Sequence, residues 1–193
     1  MMKVDMTSTQ TSPSVKRERF RFTVSPIYFP LAIFCYGALG YLLAQYYYDL
    51  ISPGLVLSDD ENLRFIASFV VFSLLLVLVH EMGHVLVGKH FKLSWKRLNL
   101  GFGASVWLTG RRTVVQQLFV SAGGSLLQIT VAGLLLLTVA YPPLFLAALI
   151  AIVEGAFNLF VPLRHSDSFK FYYCLWQIIR GRGKSEFKGV GNR

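Results

Sequence analysis

The chain has 193 residues, of which 54% are hydrophobic and 15% charged, and its formal net charge is +9. Soluble domains of this length carry more charge and fewer apolar residues, so the composition excludes an ordinary soluble protein and indicates a membrane protein. A strongly positive chain can also bind nucleic acid, but the positions of the basic residues give this charge another explanation.

Four apolar stretches are long enough to cross a bilayer as helices. They cover residues 27–47, 65–87, 114–140 and 143–163. The apolar run of the first is too long for a cleavable signal peptide, and no clean cleavage site follows it. We therefore predict an all-α polytopic membrane protein, with four transmembrane helices in a single domain at residues 27–179.

The basic residues lie between the apolar stretches. All but Arg64 fall in the N-terminal segment, in residues 88–113 or after residue 163, whereas the connection after the first stretch is mostly acidic. Because cytoplasmic connections are enriched in Lys and Arg, this alternation predicts that both termini are cytoplasmic. The basic residues would then lie at the cytoplasmic surface, where they face anionic lipids. We expect an integral protein of a bacterial cytoplasmic membrane with no nucleic-acid partner.

The N-terminal part of the chain carries no functional signal. Residues 1–26 are predicted to be a disordered cytoplasmic leader, because they are polar and show no apolar periodicity. The first span contains no charge, so we expect it to be an anchor beside the functional site rather than part of it. Its Cys35 and the distant Cys174 form no disulfide framework or metal motif.

The second span ends in His80-Glu81-Met82-Gly83-His84. On a helix the two imidazoles share one face, about 6 Å apart along the axis, so both can reach one metal ion. Glu81 is left free to take a proton from the water that zinc activates, as in other HExxH sites. A polar helix end among headgroups is the structural alternative. The cost of ionisable groups inside a membrane favours a functional role.

Residues 91–107 alternate apolar and polar side chains, which is typical of strands. We predict a short β-hairpin that turns near residues 101–103. Its free edge, next to a metal ion, could hold an extended peptide by backbone pairing. A basic loop that contacts lipid headgroups fits the same pattern equally well.

The third and fourth spans each contain polar residues. Residues 121–125 are small and favour close helix packing, and they precede Gln128, whose amide needs partners inside a membrane. In the fourth span, Glu154 and Asn158 share a helix face, and Pro162 is expected to end the helix so that the chain can turn back. Residues 169–179 should then form an interfacial helix, followed by a flexible basic tail at 180–193.

These polar groups are predicted to lie at one depth. At a rise of 1.5 Å per residue, His80, Gly124 and Asn158 are all about 22 to 26 Å from the outer surface. The three polar segments that contain these residues should therefore meet in the cytoplasmic leaflet, although the helices alternate in direction.

The motifs resemble those of the site-2 protease family of intramembrane zinc metalloproteases. That family carries HExxH, a Gly-Gly-Pro-x-x-Asn type element, and Asn-x-x-Pro followed by Asp-Gly. The corresponding positions here are 80–84, 123–128 and 158–162 with Asp167, within a catalytic core at about residues 63–171. Ser125, Gln128 and Ser168 replace the family's Pro, Asn and Gly. No stretch is long enough for the PDZ or CBS domains of some members.

The resemblance implies a ligand set and a mechanism. His80, His84 and Asp167 would bind one Zn²⁺ ion, with Glu81 as general base and acid. Asn158 and Gln128 would position the substrate.

The third ligand has two competitors and a structural alternative. Glu154 is about 6 Å deeper than Asn158, so it is better placed as a protonated or hydrogen-bonded group that contacts the ligands than as a ligand itself. His165 has a suitable depth but no counterpart in the family pattern. Asp167 could instead simply cap the following helix.

The expected function is hydrolysis of peptide bonds in membrane-spanning or membrane-associated polypeptides near the cytoplasmic face. The alternative is a catalytically silent relative that acts as a membrane scaffold or binding partner. The intact Glu81 favours the enzyme, and the substituted second and third motifs favour the scaffold. The sequence does not specify the substrate, the pathway or the oligomeric state.

Overall fold

The structure, a computed structural model, describes residues 21–51, 58–101, 104–163 and 166–187. Within these ranges the chain forms, in order, β1 Arg21–Val24, α1 Tyr28–Ile51, α2 Asp59–His90, β2 Ser94–Leu100, β3 Ala104–Thr109, α3 Val114–Thr138, α4 Pro142–Phe160 and α5 Asp167–Ile179. Helices α1 to α4 are each long and apolar enough to cross a membrane. The predicted fold class, four membrane-spanning helices with strands between the second and third, is confirmed.

The helix boundaries follow from local chemistry. Ser58 precedes α2 and Thr113 precedes α3, and each side chain accepts a hydrogen bond from the backbone N–H three residues later. In both caps, a Glu or Gln at that later position accepts from the cap's own N–H, so otherwise unpaired donors are satisfied. Helix α4 begins at Pro142 and ends at Phe160, two residues before Pro162, as the sequence predicts.

Small residues bring α2 and α3 into backbone contact. A Cβ added to Gly83 would overlap the carbonyl oxygen of Gly123. Lipid tails are as apolar as the helices, so close packing of this kind is a principal source of association between spans. A buried apolar cluster extends the contact of α2 and α3 to α4, and its members are Phe69, Leu76, Ala132, Ala147, Ala148 and Ala151.

The predicted hairpin forms between α2 and α3. Strands β2 and β3 are antiparallel, with an irregularity between Trp95 and Arg97. Strand β1 pairs with β2 in parallel, which gives the order β1-β2-β3 and leaves β3 at an edge. Residues 102 and 103 of the predicted turn lie outside the described residues.

The prediction of a disordered leader to residue 26 is wrong for residues 21–24. These residues form β1, in which Phe22 is paired with Leu98 and Val24 with Leu100. Four residues are too few to give a strand pattern, and β1 is stabilised by pairing with β2 rather than by its own sequence. Residues 1–20 lie outside the described part of the chain.

The prediction of a flexible tail is wrong for residues 183–187. The backbone N–H of Val114 donates to the Ser185 carbonyl, and the N–H of Phe187 donates to the Arg112 carbonyl. This segment therefore lies along the start of α3, held by backbone hydrogen bonds that side-chain periodicity does not reveal. The predicted interfacial helix is present as α5. Residues 188–193 are outside the described ranges.

Candidate metal centre

Three side chains with metal-binding atoms meet near the end of α2 that adjoins the sheet. The Nε2 atoms of His80 and His84 are 3.2 Å apart. Asp167 Oδ2 lies 3.7 Å from His80 Nε2 and 3.0 Å from His84 Nε2. Both imidazoles are buried and the carboxylate is partly buried. Two imidazole nitrogens and one carboxylate oxygen match the protein ligands of a zinc site that keeps one open position.

Local structure explains why Asp167 can reach the histidines. The cap of α5 is Ser166, whose Oγ accepts a hydrogen bond from a backbone N–H of the first turn at 3.2 Å. Asp167 is therefore not the cap, and its carboxylate is free to face His80 and His84. Lys170 Nζ donates to Asp167 Oδ1 at 2.9 Å. The other oxygen, Oδ2, is the one that faces the imidazoles.

The serine that replaces the family's glycine has a local role. The Ser168 hydroxyl donates to the carbonyl oxygen of Val161, the residue that follows α4. It also lies 2.7 Å from the Ser166 hydroxyl. Ser168 thus ties the end of α4 to the start of α5 and helps to hold Asp167 in place.

The surroundings of Asp167 favour its ionised form. Burial alone would raise its pKa, but the contacts with His80 and His84 and the charge of Lys170 outweigh burial and hold the pKa well below its usual range. A metal-binding carboxylate must be deprotonated, and these contacts favour that state.

The Nδ1 atoms of both histidines each lie next to a hydrogen-bond acceptor. His80 Nδ1 is 2.9 Å from Gln128 Oε1, and His84 Nδ1 is 2.6 Å from the Val120 carbonyl oxygen. Each Nδ1 therefore carries the proton, and each Nε2 keeps its lone pair. Two lone pairs and a carboxylate oxygen then point at one another, which is repulsive unless a cation, either a proton or a metal ion, lies between them. The residues thus fit a bound zinc ion.

A cavity of about 760 Å³ opens onto this cluster. Glu81 is 6% exposed and lies on the cavity wall. Edge strand β3 forms part of the same wall through Ala104, Val106 and Leu108, and the backbone of Val106 interacts with the Glu81 carboxylate. Glu81, the three side chains of the candidate metal centre and the edge strand β3 therefore share one cavity.

The structure also locates the remaining predicted site residues. Asn158 is exposed and lines the cavity, without a hydrogen bond to another described residue. Gln128 lines it too, but its carbonyl oxygen is taken by His80. Glu154 accepts a hydrogen bond from Tyr36 at 3.0 Å and does not belong to the three-residue cluster. His165 lies outside the described residues.

Several cavity residues were not foreseen from the sequence. Tyr36 of α1 lines the cavity, so the expectation that the first span is only an anchor beside the site is wrong. Nothing in the sequence distinguishes Tyr36 from neighbouring aromatic residues.

Gln117 is 3% exposed, and its Oε1 has no hydrogen-bond partner among the described residues. Its helical spacing from Ser121 and Gln128 could have identified this polar face.

Arg112 and Lys170 bring positive charge to the cavity. Burial lowers the pKa of the Arg112 guanidinium, whose centre lies 5.6 Å from the Phe187 ring centroid. Sequence reasoning assigned both residues to membrane topology alone. Their position indicates that they also influence the electrostatics of the site.

Comparisons with known proteins support the fold. No protein-family model matches the chain, and no curated protein is similar to it. Among solved structures, the chain is similar to a site-2 protease from Methanocaldococcus jannaschii, with a TM-score of 0.51 and 18% identity. The similarity covers 75% of this chain and 65% of that structure's length. The chain therefore has a distant site-2 protease-like fold.

Proposed function

We propose that this protein is an intramembrane zinc metalloendopeptidase. The observation that carries the proposal is the convergence of His80, His84 and Asp167 beside the buried Glu81, at the wall of a cavity among membrane-spanning helices. Ionisable groups inside membrane spans are expensive, so a buried cluster of this composition argues for function over packing. The site-2 protease-like fold supports the same class of reaction.

His80, His84 and Asp167 would hold the metal through Nε2, Nε2 and Oδ2. Zinc, when bound, supplies Lewis-acid activation of water and of the scissile carbonyl. Glu81 accepts the proton of the attacking water and delivers it to the leaving amine, so that the amine departs neutral. Its buried position keeps bulk water from competing for that proton.

The proposed substrate is a membrane-spanning or membrane-associated polypeptide in extended form. The edge of β3 that faces away from β2 can pair with such a chain, because β3 is the last strand of the sheet. Asn158, exposed on the cavity wall, would position the peptide. Gln128 would contribute to positioning through the ligand His80. Cleavage near the cytoplasmic face follows if the termini are cytoplasmic, as the basic residues predict.

A catalytically silent membrane scaffold is the second candidate. The observation that favours it is the departure of Ser125, Gln128 and Ser168 from the family motifs. Two of these changes are compatible with an intact centre, since Gln128 contacts His80 and Ser168 closes the turn before Asp167. A scaffold would also have no need of Glu81.

The test compares membranes from cells that carry the wild-type chain and its Glu81→Gln variant. Glutamine keeps the size of the side chain but cannot accept the proton, so the variant should bind zinc and lose cleavage by about 10²- to 10⁴-fold. A polypeptide that accumulates uncut only in the variant identifies a substrate. Asp60→Asn, a change at an exposed carboxylate on the predicted outer side, is the control. Equal cleavage by wild type and Glu81→Gln would exclude the mechanism.

A further inference from the structure

We propose that Tyr36 and Glu154 are positioning residues that act through Gln128 to fix the tautomer of the ligand His80. The inference rests on the proposed function only in requiring that the site binds zinc. Tyr36 Oη lies 3.0 Å from Glu154 Oε1, and Glu154 lines the same cavity as Gln128, with which its carboxyl group interacts. Gln128 Oε1 in turn lies 2.9 Å from His80 Nδ1. One residue from each of α1, α4, α3 and α2 forms this series.

The direction of the hydrogen bonds follows from the chemistry of the groups. Gln128 Oε1 lies at His80 Nδ1, so the Gln128 NH₂ group is the one left to face Glu154, whose Oε1 already accepts from Tyr36. The Gln128 amide has its donors on one atom and its acceptor on the other. With its NH₂ group facing Glu154, its Oε1 is left to face His80. Nδ1 of His80 must then hold the proton, and Nε2 presents its lone pair to a metal.

The tautomer of His80 depends on the orientation of its partner, whereas that of His84 does not. The Nδ1 partner of His84 is the Val120 carbonyl, and a backbone carbonyl can only accept. The partner of His80 is an amide that can rotate by half a turn and present its NH₂ group instead. His80 would then carry its proton on Nε2 and could not bind zinc through that atom. Gln128 is 1% exposed, so its protein neighbours and not bulk solvent decide its orientation.

A simpler interpretation is that Tyr36 and Glu154 only hold α1 against α4. Both interpretations predict that removing the Tyr36 hydroxyl lowers the stability of the helix bundle. Only the positioning role predicts a change in zinc affinity, and only that role predicts that the change requires Gln128. The discriminating observation is therefore the coupling between residues 154 and 128 in zinc binding.

The experiment uses the full chain, purified in detergent and freed of metal. Zinc affinity is measured by competition with a chelating indicator, and the geometry is followed by the visible absorption of bound Co²⁺. We expect Glu154→Leu to weaken zinc binding by about 10- to 100-fold and Tyr36→Phe to weaken it less, as for other changes behind a metal ligand. Glu154→Gln keeps the size of the side chain. If the effect of Glu154→Leu is not caused by a packing defect, Glu154→Gln should also weaken zinc binding.

Two further variants make the test decisive. In a Gln128→Leu chain, Glu154→Leu should have no additional effect on zinc affinity. Tyr41→Phe, which removes an exposed hydroxyl from the same helix as Tyr36, is the matched control and should bind zinc like wild type. The proposal is overturned if wild type binds zinc and Glu154→Leu binds it equally well. It is also overturned if Glu154→Leu has the same effect with and without Gln128. A wild-type chain that binds no zinc would instead overturn the proposed function.

Discussion

The backbone of Gly124 lies directly against the ring of His84. A Cβ at this position would be 2.5 Å from His84 Nε2 and 2.8 Å from His80 Nε2, closer than any real contact of that kind. The space in front of the two metal-binding nitrogens is therefore open because residue 124 has no side chain. Gly123 and Gly124, near the middle of α3, therefore leave room for the candidate metal centre as well as for helix packing.

Gly124→Ala should abolish zinc binding, since the added methyl group would occupy the space beside both Nε2 atoms. The measurement is zinc per chain in purified protein, by elemental analysis. Gly133→Ala is the matched control, because it lies on the same helix and has no heavy atom within 4 Å of an added Cβ. Full zinc content in Gly124→Ala would show that the metal lies elsewhere.

The predicted topology can be tested at the start of α2. With both termini cytoplasmic, a cysteine at Asp60 should react with a membrane-impermeant thiol reagent in intact cells, and a cysteine at Lys184 should react only after permeabilisation. Residue 60 is preferable to Ser58, whose side chain caps α2. Cys35 and Cys174 are replaced by serine beforehand. The reverse labelling pattern would invert the topology.

The second histidine could be predicted because its position depends only on helical spacing from His80. The same holds for the spans, whose length and composition are local properties. The contact of Gln128 with His80 and of Tyr36 with Glu154 could not be predicted, because each depends on how two helices are rotated against one another. Strand β1 was missed because it exists through pairing with β2. Asp167 was assigned from family resemblance, with no local pattern that distinguishes it from Glu154.

Val106→Pro should reduce cleavage, and the kinetic constants separate two causes: a higher KM indicates that the edge of β3 binds the substrate, whereas a lower kcat alone indicates loss of the contact between Val106 and Glu81. Proline removes the N–H at this position, and proline is tolerated where an edge strand faces away from its partner. Loss of one backbone hydrogen bond, worth about 0.5 to 1.5 kcal/mol, corresponds to roughly a 2- to 13-fold decrease in kcat/KM. Val106→Thr keeps the N–H and the branched shape and serves as the control. Wild-type kcat/KM in the proline variant would favour the lipid-contacting interpretation of the hairpin.

Asp167→Ala should lose zinc and activity together, because it removes one of three ligands. Ser166→Ala is the matched control, since it removes the cap of α5 and leaves the ligands. That loss should cost about 0.5 to 2 kcal/mol of stability and leave zinc bound. Zinc stoichiometry at saturating metal, together with the thermal unfolding midpoint, separates the two effects.

Glu154→Ala tests one of the two competitors of Asp167 for the place of third ligand. Glu154 contacts Tyr36 and Gln128 and lies outside the cluster of metal-binding atoms, so its loss should weaken zinc binding without lowering the stoichiometry at saturation. Asp167 Oδ2 lies within 3.7 Å of both Nε2 atoms, so its loss should lower the stoichiometry itself. Zinc retained at wild-type stoichiometry in Asp167→Ala but lost in Glu154→Ala would reverse this assignment and make Glu154 the third ligand.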